Sequence, residues 1–543
     1  MRRNHRKEGR LTHDLARFVR PNARRSDTHK GGNMTRRFTT LIALLVIASG
    51  VLASALAQPA GRVVFAQAGI DEHLDPAATT FANNLAIYQN LYSTLTRPVS
   101  GGHEIEGDLA ERWETNSDYS EYVFYLRPGV QWHHGWGEVT AEDVRYSFER
   151  HLDDDVGSMY RSEAELIETI EVIDEYTIRF ALRGPDLVFP WRVSAKTHFV
   201  GGIVPRAYIE EVGLSEFRRN PIGSGPFSFV SMVPRERVVL EANTEYWEGS
   251  PTIQFLELVG MPDATVAGLA TARGEVHVAA VPDFDVVEQY LDHPNVRVVS
   301  APGGSSTQLW LNQLVPPLDN PLVRRAMRHA IDYEEILFGV YLGYGESPTE
   351  GMLPSLSDGF LTDLPEVAYD PELARELLAE AGFPDGFSTS MVCTSTSFTQ
   401  RQCELVQEHF RAVGIELDIQ FLDRSGMVEI RPRDTTPIIQ MGISIRPDPL
   451  QWMIWHHGRT VPPQGVNFMR WTAADEIIDA VENATTPEDR IAAIQDFQRL
   501  YAEDVPGLPL AHGDLTHLVH ESVVDYVMEA PFGIRGELLR LRD

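Results

Sequence analysis

The sequence predicts an α/β protein made of several units, and three observations support this prediction. Runs of aromatic and β-branched residues bounded by turn residues, such as Tyr122 to Leu126, are typical of strands. Helices with clear start signals follow, and one begins at Asn320-Pro321. The chain has 543 residues, and at about 150 residues per domain this predicts roughly three domains or subdomains.

The segment from Gly107 to Arg150 shows strand, turn and helix signals in close succession. The strand that ends at Leu126 is followed by Arg127-Pro128-Gly129, which predicts a turn because proline fixes φ and glycine accepts positive φ. We expect a second short strand from Val130 to Trp132. Thr140 and Asp143 have the spacing of a capping box, which predicts the start of a helix.

Similar signals recur later in the chain. Glu171 to Leu182 alternates between polar and apolar residues, which predicts a strand. Thr472 with Asp475, and Thr486 with Asp489, predict two more capping boxes. The helix after Asn320 carries a buried apolar stripe. The stripe consists of Val323, Ala326, Met327, Ala330 and Ile331.

The charge of the chain is strongly negative, at −31. Residues 1–57 carry 12 Lys/Arg and 3 Asp/Glu, a net charge of +9, so the remaining residues carry about −40. Nucleic acid and anionic lipid are both polyanions and would be repelled by such a surface. We therefore expect no nucleic-acid partner.

Residues 34–57 have the pattern of a signal peptide. Arg36-Arg37 precedes the apolar run Leu41 to Val51, and Ala55-Leu56-Ala57 forms an A-x-A cleavage site. We expect translation to start at Met34, so that residues 1–33 are a non-native upstream prefix. No cysteine lies near the cleavage site. The pattern therefore predicts an exported, unlipidated protein in the periplasm.

The two cysteines of the chain are Cys393 and Cys403. Cysteines of exported proteins often pair, because the compartment is oxidising. We expect a disulfide between these two residues, and two buried free thiols are the alternative.

The order of residues in the segment Gly107 to Arg150 resembles the signature of family 5 extracellular solute-binding proteins, which serve peptide-type (oligopeptide, dipeptide or nickel) ABC importers. One departure is His134, where the family commonly has aspartate. The matching residues are Leu109, Ala110, Trp113, Tyr122, Phe124, Leu126, Arg127, Gly129, Val130, Trp132, His133, Thr140, Ala141, Asp143, Val144, Ser147 and Arg150.

Further family motifs follow in the expected order, so the resemblance covers roughly residues 62–543. They include Gly223 to Phe227, Asn243 to Gly249, Leu309 to Asn312 and the D-P-x-x-A motif that starts at Asp370. The resemblance implies a two-lobed periplasmic binding protein of type II, in the enlarged peptide-binding class, with an extra subdomain in the first lobe. Its implied boundaries are 61–304 for lobe I, with an inserted subdomain at about 101–219, 305–510 for lobe II, and 511–543 for a C-terminal return to lobe I.

The resemblance also implies ligand-binding residues near the start of the first lobe. In this family, a motif like Leu74-Asp75-Pro76 leads into a polar segment that faces the cleft between the lobes. Here that segment contains Thr80, Phe81 and Asn83. We therefore expect these three residues to contact the ligand.

A second candidate segment runs from Gly442 to His457. In peptide binders of the family an aspartate near this point binds the ligand's α-amino group, and Asp448 is one match. Asp448-Pro449 also resembles a structural turn of the family, and in that case Arg446 occupies the amine-binding position and favours an anionic ligand. Trp452 and Trp455 are candidates for stacking on the ligand, with packing in the core as the alternative.

No pattern in the sequence predicts an enzyme, a metal site or a cofactor. The chain lacks G-x-S-x-G, H-E-x-x-H and C-x-x-C patterns. His133-His134 and His456-His457 are adjacent pairs, and neighbouring residues of a strand point to opposite faces.

The resemblance implies a monomeric receptor that binds a peptide or other small solute and delivers it to the transmembrane subunits of an ABC permease. The alternatives are a non-peptide anionic solute bound by Arg446, a sensor with the same fold and, more distantly, a secreted hydrolase.

Overall fold

The computed structural model describes most of the chain after the predicted signal peptide. The predictions for residues 1–57, and for Thr80, Phe81, Asn83 and Arg446, lie outside the described residues. The described ranges are 59–78, 84–99, 104–158, 160–194, 201–281, 283–430, 435–444, 448–462, 465–529 and 533–542.

Strands within these ranges are numbered in chain order. They are β1 Arg62–Gln67, β2 Thr96–Pro98, β3 Ile105–Gly107, β4 Ala110–Thr115, β5 Glu121–Leu126, β6 Ile167–Asp174, β7 Thr177–Leu182, β8 Phe227–Val233, β9 Arg237–Ala242, β10 Phe255–Gly260, β11 Val278–Ala280, β12 Val296–Leu311, β13 Gly345–Glu346, β14 Phe387–Thr394, β15 Ile415–Leu422, β16 Ile438–Ser444, β17 Gly507–His520, β18 Met528–Glu529 and β19 Gly533–Ile534.

The α-helices of the same ranges are numbered separately. They are α1 Leu85–Leu91, α2 Ala141–Glu149, α3 Arg161–Ala164, α4 Phe189–Arg192, α5 Arg206–Val212, α6 Leu214–Arg219, α7 Ala264–Ala272, α8 Phe284–Glu288, α9 Pro321–His329, α10 Tyr333–Tyr341, α11 Pro371–Glu380, α12 Ser397–Ala412, α13 Arg424–Ile430, α14 Leu450–Ile454, α15 Asp475–Glu482 and α16 Pro487–Asp504.

One large mixed sheet runs through the described chain. Its strand order is β15-β14-β16-β12-β17-β11-β1-β10-β9-β8, and β13 pairs with β17. Strands β14, β15 and β16 form the parallel part of the sheet that belongs to the predicted second lobe. Strand β1 is parallel to β10 and β11 in the predicted first lobe. The two halves of the molecule therefore share a single hydrogen-bonded sheet.

The two longest strands, β12 and β17, connect the halves. They are antiparallel partners from Val296, opposite His520, to Trp310, opposite Gly507. The register shifts between Ala301 and Ser305, so a bulge interrupts the ladder near its middle. Beyond the bulge, β12 also pairs with β16. Each long strand therefore runs from one predicted lobe into the other.

A separate four-stranded antiparallel sheet, in the order β4-β5-β7-β6, lies within the predicted insertion. The aromatic residues Tyr122 and Phe124 of β5 are buried in its core. Thr140 and Asp143 form the predicted capping box at the start of α2. The expected strand at Val130 to Trp132 is reduced to a single bridge between Gln131 and Glu138. The limits 101–219 of an inserted subdomain stay a prediction.

The predicted helix after Asn320 is α9, and it begins as expected. The Asn320 side chain accepts a hydrogen bond from the Leu322 N–H, and Pro321 is the first helical residue. All five residues of the predicted stripe are fully buried in a core that also contains Leu309 and Phe410, although Ala330 and Ile331 lie just after His329, the last helical residue. No helix of the described residues has the length and apolar character needed to cross a membrane.

Candidate functional site

A cavity of about 280 Å³ lies where β12 and β17 cross between the predicted lobes. It is bounded by the ends of β1, β11 and β16, by the bulge of β12 and by the middle of β17. The lining residues are Phe65, Gln67, Ala68, Ala280, Val281, Phe284, Gly304, Ser305, Tyr341, Phe398, Ser444, Gly513, Asp514, Leu515, Thr516 and His517. Both predicted lobes contribute to this wall, as expected for a site enclosed by two lobes.

Two glycines allow the backbone to approach closely around the cavity. A Cβ atom on Gly304 would lie 2.6 Å from the carbonyl oxygen of Gly513 on the neighbouring strand. A Cβ atom on Gly513 would lie 2.5 Å from Cε1 of Tyr341. The absence of both side chains therefore lets β12 and β17 pack tightly and brings the Tyr341 ring against the cavity.

The cavity has an aromatic wall with members from both predicted lobes. Phe284 follows β11 in the first lobe, whereas Tyr341 ends α10 and Phe398 begins α12 in the second. The ring centroids of Phe284 and Tyr341 are 5.4 Å apart, and those of Tyr341 and Phe398 are 5.0 Å apart at an interplanar angle of 89°. The second pair is an edge-to-face contact, which stabilises aromatic pairs beyond simple burial.

A buried network of hydrogen bonds fixes the hydroxyl end of Tyr341. The Tyr341 hydroxyl lies 2.7 Å from Oγ1 of Thr307, and Nε2 of Gln402 donates to the same Oγ1 at 2.8 Å. Burial raises the pKa of Tyr341 to about 12. Nε2 of Gln440 reaches Oε1 of Gln402 at 3.4 Å. The network therefore fixes the ring that lines the cavity through strands β12 and β16 and helix α12.

A disulfide joins Cys393 at the end of β14 to Cys403 in α12. Both cysteines are fully buried. The residues between them include Phe398 of the aromatic wall. The disulfide therefore ties the first turns of α12, and with them this part of the cavity wall, to the parallel strands.

The polar lining is mostly neutral. Burial lowers the pKa of His517 to about 3, so its imidazole is uncharged at neutral pH. Nδ1 of His517 is in hydrogen-bond contact with the Tyr526 hydroxyl. The Thr516 hydroxyl donates to the carbonyl oxygen of Val281. Asp514 is the acidic group of the described lining, and burial raises its pKa, with the charge of Glu346 adding to the increase.

Asp448 lies outside the residues that line this cavity. Oδ1 of Asp448 lies 2.5 Å from Nη2 of Arg490 and also accepts the backbone N–H of Leu450. Burial alone would raise the pKa of Asp448, but Arg490, this backbone bond and the nearby Arg192 together lower it. Its charge is therefore balanced within the protein, which favours the structural-turn interpretation over a role as amine anchor.

Neither candidate tryptophan is among the described residues that line the cavity. Trp452 is almost fully buried, and its Nε1–H donates to the carbonyl oxygen of Ser444 at 3.0 Å. The ring of Trp455 packs edge-on against Trp310 at 6.3 Å. Because Ser444 lines the cavity, Trp452 supports its wall from the core. The burial of Trp452 agrees with the core-packing alternative, whereas Trp455 is only partly buried and both of its alternatives stay open.

The histidine pairs have structural partners. Nε2 of His133 lies 2.9 Å from the Gly225 carbonyl oxygen, and its Nδ1 accepts the Gly223 N–H. Burial lowers the pKa of His133 and of His456 to about 4. Nε2 of His457 contacts Asp479 at 3.1 Å. Within the described residues, no cluster of three or more His, Cys, Asp or Glu side chains is arranged to hold a metal ion.

Several cavity residues were not candidates from the sequence. Gln67 ends β1, Phe284 begins α8, and Asp514 lies in β17, and these three residues are separated by more than 200 positions. No local motif marks them, since they meet only through the order of strands in the sheet. The sequence signal that could have indicated these residues is their position, either next to the end of a predicted strand or in the strands that connect the two predicted lobes.

Comparison with known proteins identifies the family of this fold. A family model for bacterial extracellular solute-binding proteins, family 5, matches residues 104–461. Di/tripeptide-binding protein 2 of Pseudomonas aeruginosa is 29% identical over 525 residues, which cover 91% of this chain and 97% of that protein.

Solved structures give the same result. HbpA2 from Haemophilus parasuis superposes with a TM-score of 0.79 at 25% identity, covering 89% of this chain and all of that one. DppA from Helicobacter pylori, in complex with the peptide STSA, gives 0.73 at 25% identity and covers 91% of this chain and all of that one. The predicted two-lobed, α/β periplasmic binding protein fold is therefore confirmed. The family model matches more than half of the length of this chain. The chain therefore belongs to family 5 of the bacterial extracellular solute-binding proteins.

Proposed function

We propose that the protein is the periplasmic substrate-binding receptor of an ABC importer and that it captures a short peptide or peptide-like solute between its lobes. The observation that carries the proposal is the cavity, whose wall includes Phe284 from one predicted lobe and Tyr341 and Phe398 from the other. Its volume of about 280 Å³ is near the lower end of small-molecule sites, which measure about 300–1,000 Å³. A small solute enclosed there would contact both lobes at once.

The receptor would act by a change of population between open and closed forms. A solute that contacts both lobes binds the closed form better and therefore shifts the equilibrium toward it. The closed form would dock on the transmembrane subunits of the permease. The protein would act as a monomer, reach the periplasm through cleavage after residue 57, and release its solute chemically unchanged.

The relatives favour a peptide as the solute. The Pseudomonas aeruginosa relative is named a di/tripeptide-binding protein, and the Helicobacter pylori structure holds a peptide. The mostly apolar wall, with only a few polar groups, suits a short peptide with apolar side chains.

Native mass spectrometry of the freshly purified mature protein tests this function first. We expect a bound species that denaturation releases as an intact short peptide, and calorimetry of the emptied protein with a dipeptide and tripeptide library should give dissociation constants of about 1 μM or lower. Release of an anionic non-peptide would instead favour Arg446 as the anchor. Hydrolysis products in place of intact peptide would contradict a receptor.

A matched pair of variants links binding to the cavity. Tyr341→Leu removes an aromatic ring from the wall, whereas Phe338→Leu alters an exposed ring of the same helix that is 63% accessible to solvent. We expect the first variant to weaken peptide binding at least about tenfold, since a buried aromatic contact is lost. The second variant should bind normally, and equal binding by both variants would place the solute elsewhere.

A further inference from the structure

An ion pair joins the two predicted lobes outside the cavity. Nη1 of Arg401, in α12 of the predicted second lobe, lies 2.5 Å from Oδ1 of Asp285, in α8 of the predicted first lobe. Neither residue is among the described residues that line the cavity. The Arg401 and Asp285 side chains are 45% and 35% exposed. The pair therefore lies near the surface where the lobes meet, outside the wall that a solute would contact.

Helix α12 holds Arg401 firmly in the predicted second lobe. The two residues that follow it are Gln402, which bonds to Thr307, and Cys403, which forms the disulfide. Nη1 of Arg401 also donates to the carbonyl oxygen of Gly339 in α10 at 3.4 Å. Because these contacts all stay within one lobe, the guanidinium moves with that lobe.

Asp285 is held in the predicted first lobe in a similar way. Its backbone N–H donates to Oδ1 of Asp283, which caps α8. Val286 and Val287, the next two residues, are buried in a core that also contains Ala66 of β1. The carboxylate therefore moves with the first lobe, and the distance between the two charges depends on how the lobes are arranged.

The same two helices also carry rings of the aromatic wall. Phe284 directly precedes Asp285, and Phe398 lies one turn before Arg401. The centroids of these two rings are 6.0 Å apart at an interplanar angle of 36°, and both rings line the cavity. An arrangement of α8 and α12 that encloses a solute therefore also brings the two charges together.

We infer that the ion pair between Asp285 and Arg401 is an affinity determinant that acts by favouring the closed arrangement of the lobes, and this inference rests on the proposed function. A solute that closes the protein gains the attraction of the pair whatever its own side chains are, so every solute gains by the same factor. Opening of the lobes separates the charges, so the pair slows the release of the solute. The gain is small and decreases with salt, because the pair is partly exposed.

Calorimetry and stopped-flow fluorescence with two dipeptides test the inference. Leucyl-phenylalanine and alanyl-alanine are titrated into the mature protein and into the variants Asp285→Asn and Arg401→Gln. We expect each variant to raise the dissociation constants of both dipeptides by about two- to fivefold, mainly through faster dissociation. The double variant should bind no more weakly than either single variant, since the loss of one partner already removes the attraction.

Two further measurements distinguish this role from a purely structural one. Exchange of the two charges, with Asp285→Arg and Arg401→Asp in one protein, should restore the affinity to within about twofold of the wild-type value. An increase of sodium chloride from about 0.05 M to about 0.5 M should reduce the difference in affinity between the wild-type protein and Arg401→Gln, because salt screens exposed charges.

Arg499→Gln is the control variant. Arg499 is 51% exposed, and its partner Asp496 lies 2.9 Å away in the same helix, α16, so this pair does not join the lobes. The control should bind both dipeptides as the wild-type protein does. Thermal unfolding of each variant shows whether the protein is folded in the titration.

Small-angle X-ray scattering of the solute-free protein measures the arrangement of the lobes without any solute. Asp285→Arg places two positive charges side by side where the lobes meet. Because like charges repel, we expect a larger radius of gyration for this variant than for the wild-type protein.

The outcomes separate this inference from the proposed function. Dipeptide binding that is equal in the wild-type protein, in Asp285→Asn and in Arg401→Gln would overturn the inference and leave the peptide receptor intact. An effect on only one of the two dipeptides would also overturn the inference, since it would indicate direct contact with that solute. Expansion of Asp285→Arg without binding of any peptide would support the inference and overturn the peptide assignment. Neither expansion nor binding would overturn both.

Discussion

The Asp75 carboxylate accepts two hydrogen bonds from the Arg150 guanidinium, at 2.8 and 2.9 Å, although the residues are 75 positions apart. The side chains are 0% and 4% exposed. Nε of Arg218 approaches the same carboxylate at 3.2 Å. Burial would raise the pKa of Asp75, but Arg150, a backbone bond and Arg218 together lower it. The pair joins the turn after β1 to the end of helix α2, and both residues belong to family motifs found in the sequence.

Replacing Asp75 with asparagine should destabilise the protein strongly. The change leaves the Arg150 charge buried and only partly compensated, which typically costs about 3–5 kcal/mol. Urea unfolding measures this loss as a lower transition midpoint with an unchanged slope. Asp154→Asn, at an aspartate that is 95% exposed and paired with Arg161, is the control and should cost less than about 1 kcal/mol. Equal effects in the two variants would contradict the structural role.

Asp448→Asn distinguishes the two interpretations of Asp448. The bond to Arg490 predicts a loss of about 1.5–3 kcal/mol in the free energy of unfolding, as for hydrogen bonds to charged groups. Peptide affinity at a temperature where the variant is folded should change less than about threefold. If Asp448 bound the α-amino group instead, calorimetry would show a loss of affinity of about 100-fold with little effect on stability.

Removing the disulfide should lower both stability and affinity. Cys393→Ser with Cys403→Ser opens a short loop, and such crosslinks typically contribute about 2–4 kcal/mol. Because Phe398 lies between the two cysteines, we also expect weaker binding of apolar peptides. Thermal unfolding with and without a thiol reductant gives the measurement. The double variant should be insensitive to the reductant, and a wild-type protein that is equally insensitive would contradict the prediction.

Stability should fall as the pH decreases below about 6.5, the ordinary pKa of histidine. Burial lowers the pKa of His456 to about 4 and of His512 and His517 to about 3. Below about pH 6.5 the unfolded chain therefore binds protons that the folded chain does not, and each such histidine costs about 1.4 kcal/mol per pH unit until its folded pKa is reached.

Asp108 acts in the opposite direction. Burial raises its pKa to about 6 against the attraction of Arg97, so its protonation favours the folded state as the pH falls below about 6. Burial also raises the pKa of Asp143, Asp186 and Asp514, which act in the same direction as Asp108. Urea unfolding between about pH 7 and pH 5 should still show a net loss of stability, since the buried histidines begin to oppose folding already at about pH 6.5. The variant His517→Gln should make the free energy of unfolding less dependent on pH. The variant His134→Asn, at an exposed histidine, should leave this dependence unchanged. If His517→Gln leaves the pH dependence of stability unchanged, the lowered pKa of His517 is contradicted.

Local signals predicted much of the secondary structure, with two informative errors. Thr140 and Thr486 cap their helices as expected. Thr472 does not, because its helix begins at Asp475, whose carboxylate accepts the N–H of Gly458 instead. The hydrogen bond from Gly458 to Asp475 therefore replaces the expected capping box of Thr472 and Asp475. The expected single strand Glu171 to Leu182 is a hairpin, since its alternation continues across the turn between β6 and β7, where no glycine or proline marks the change.

The candidate site was less predictable than the fold. Family motifs predicted Asp448, Trp452 and Trp455 as ligand contacts, but none of the three is among the described residues that line the cavity. The residues that line it, such as Gln67, Phe284 and Asp514, come from strand ends and helix starts that the sheet order brings together. Their proximity depends on pairings between residues far apart in the chain, which no periodic pattern in a single sequence specifies.

The shared sheet restricts how the two halves of the molecule can move. Sliding one half past the other would break the ladder between β12 and β17, which pairs Val296 with His520 at one end and Trp310 with Gly507 at the other. Bending at the bulge between Ala301 and Ser305 would keep most of these bonds. A bend beside Gly304 would therefore move the ends of the two halves far while it costs few of the hydrogen bonds between β12 and β17.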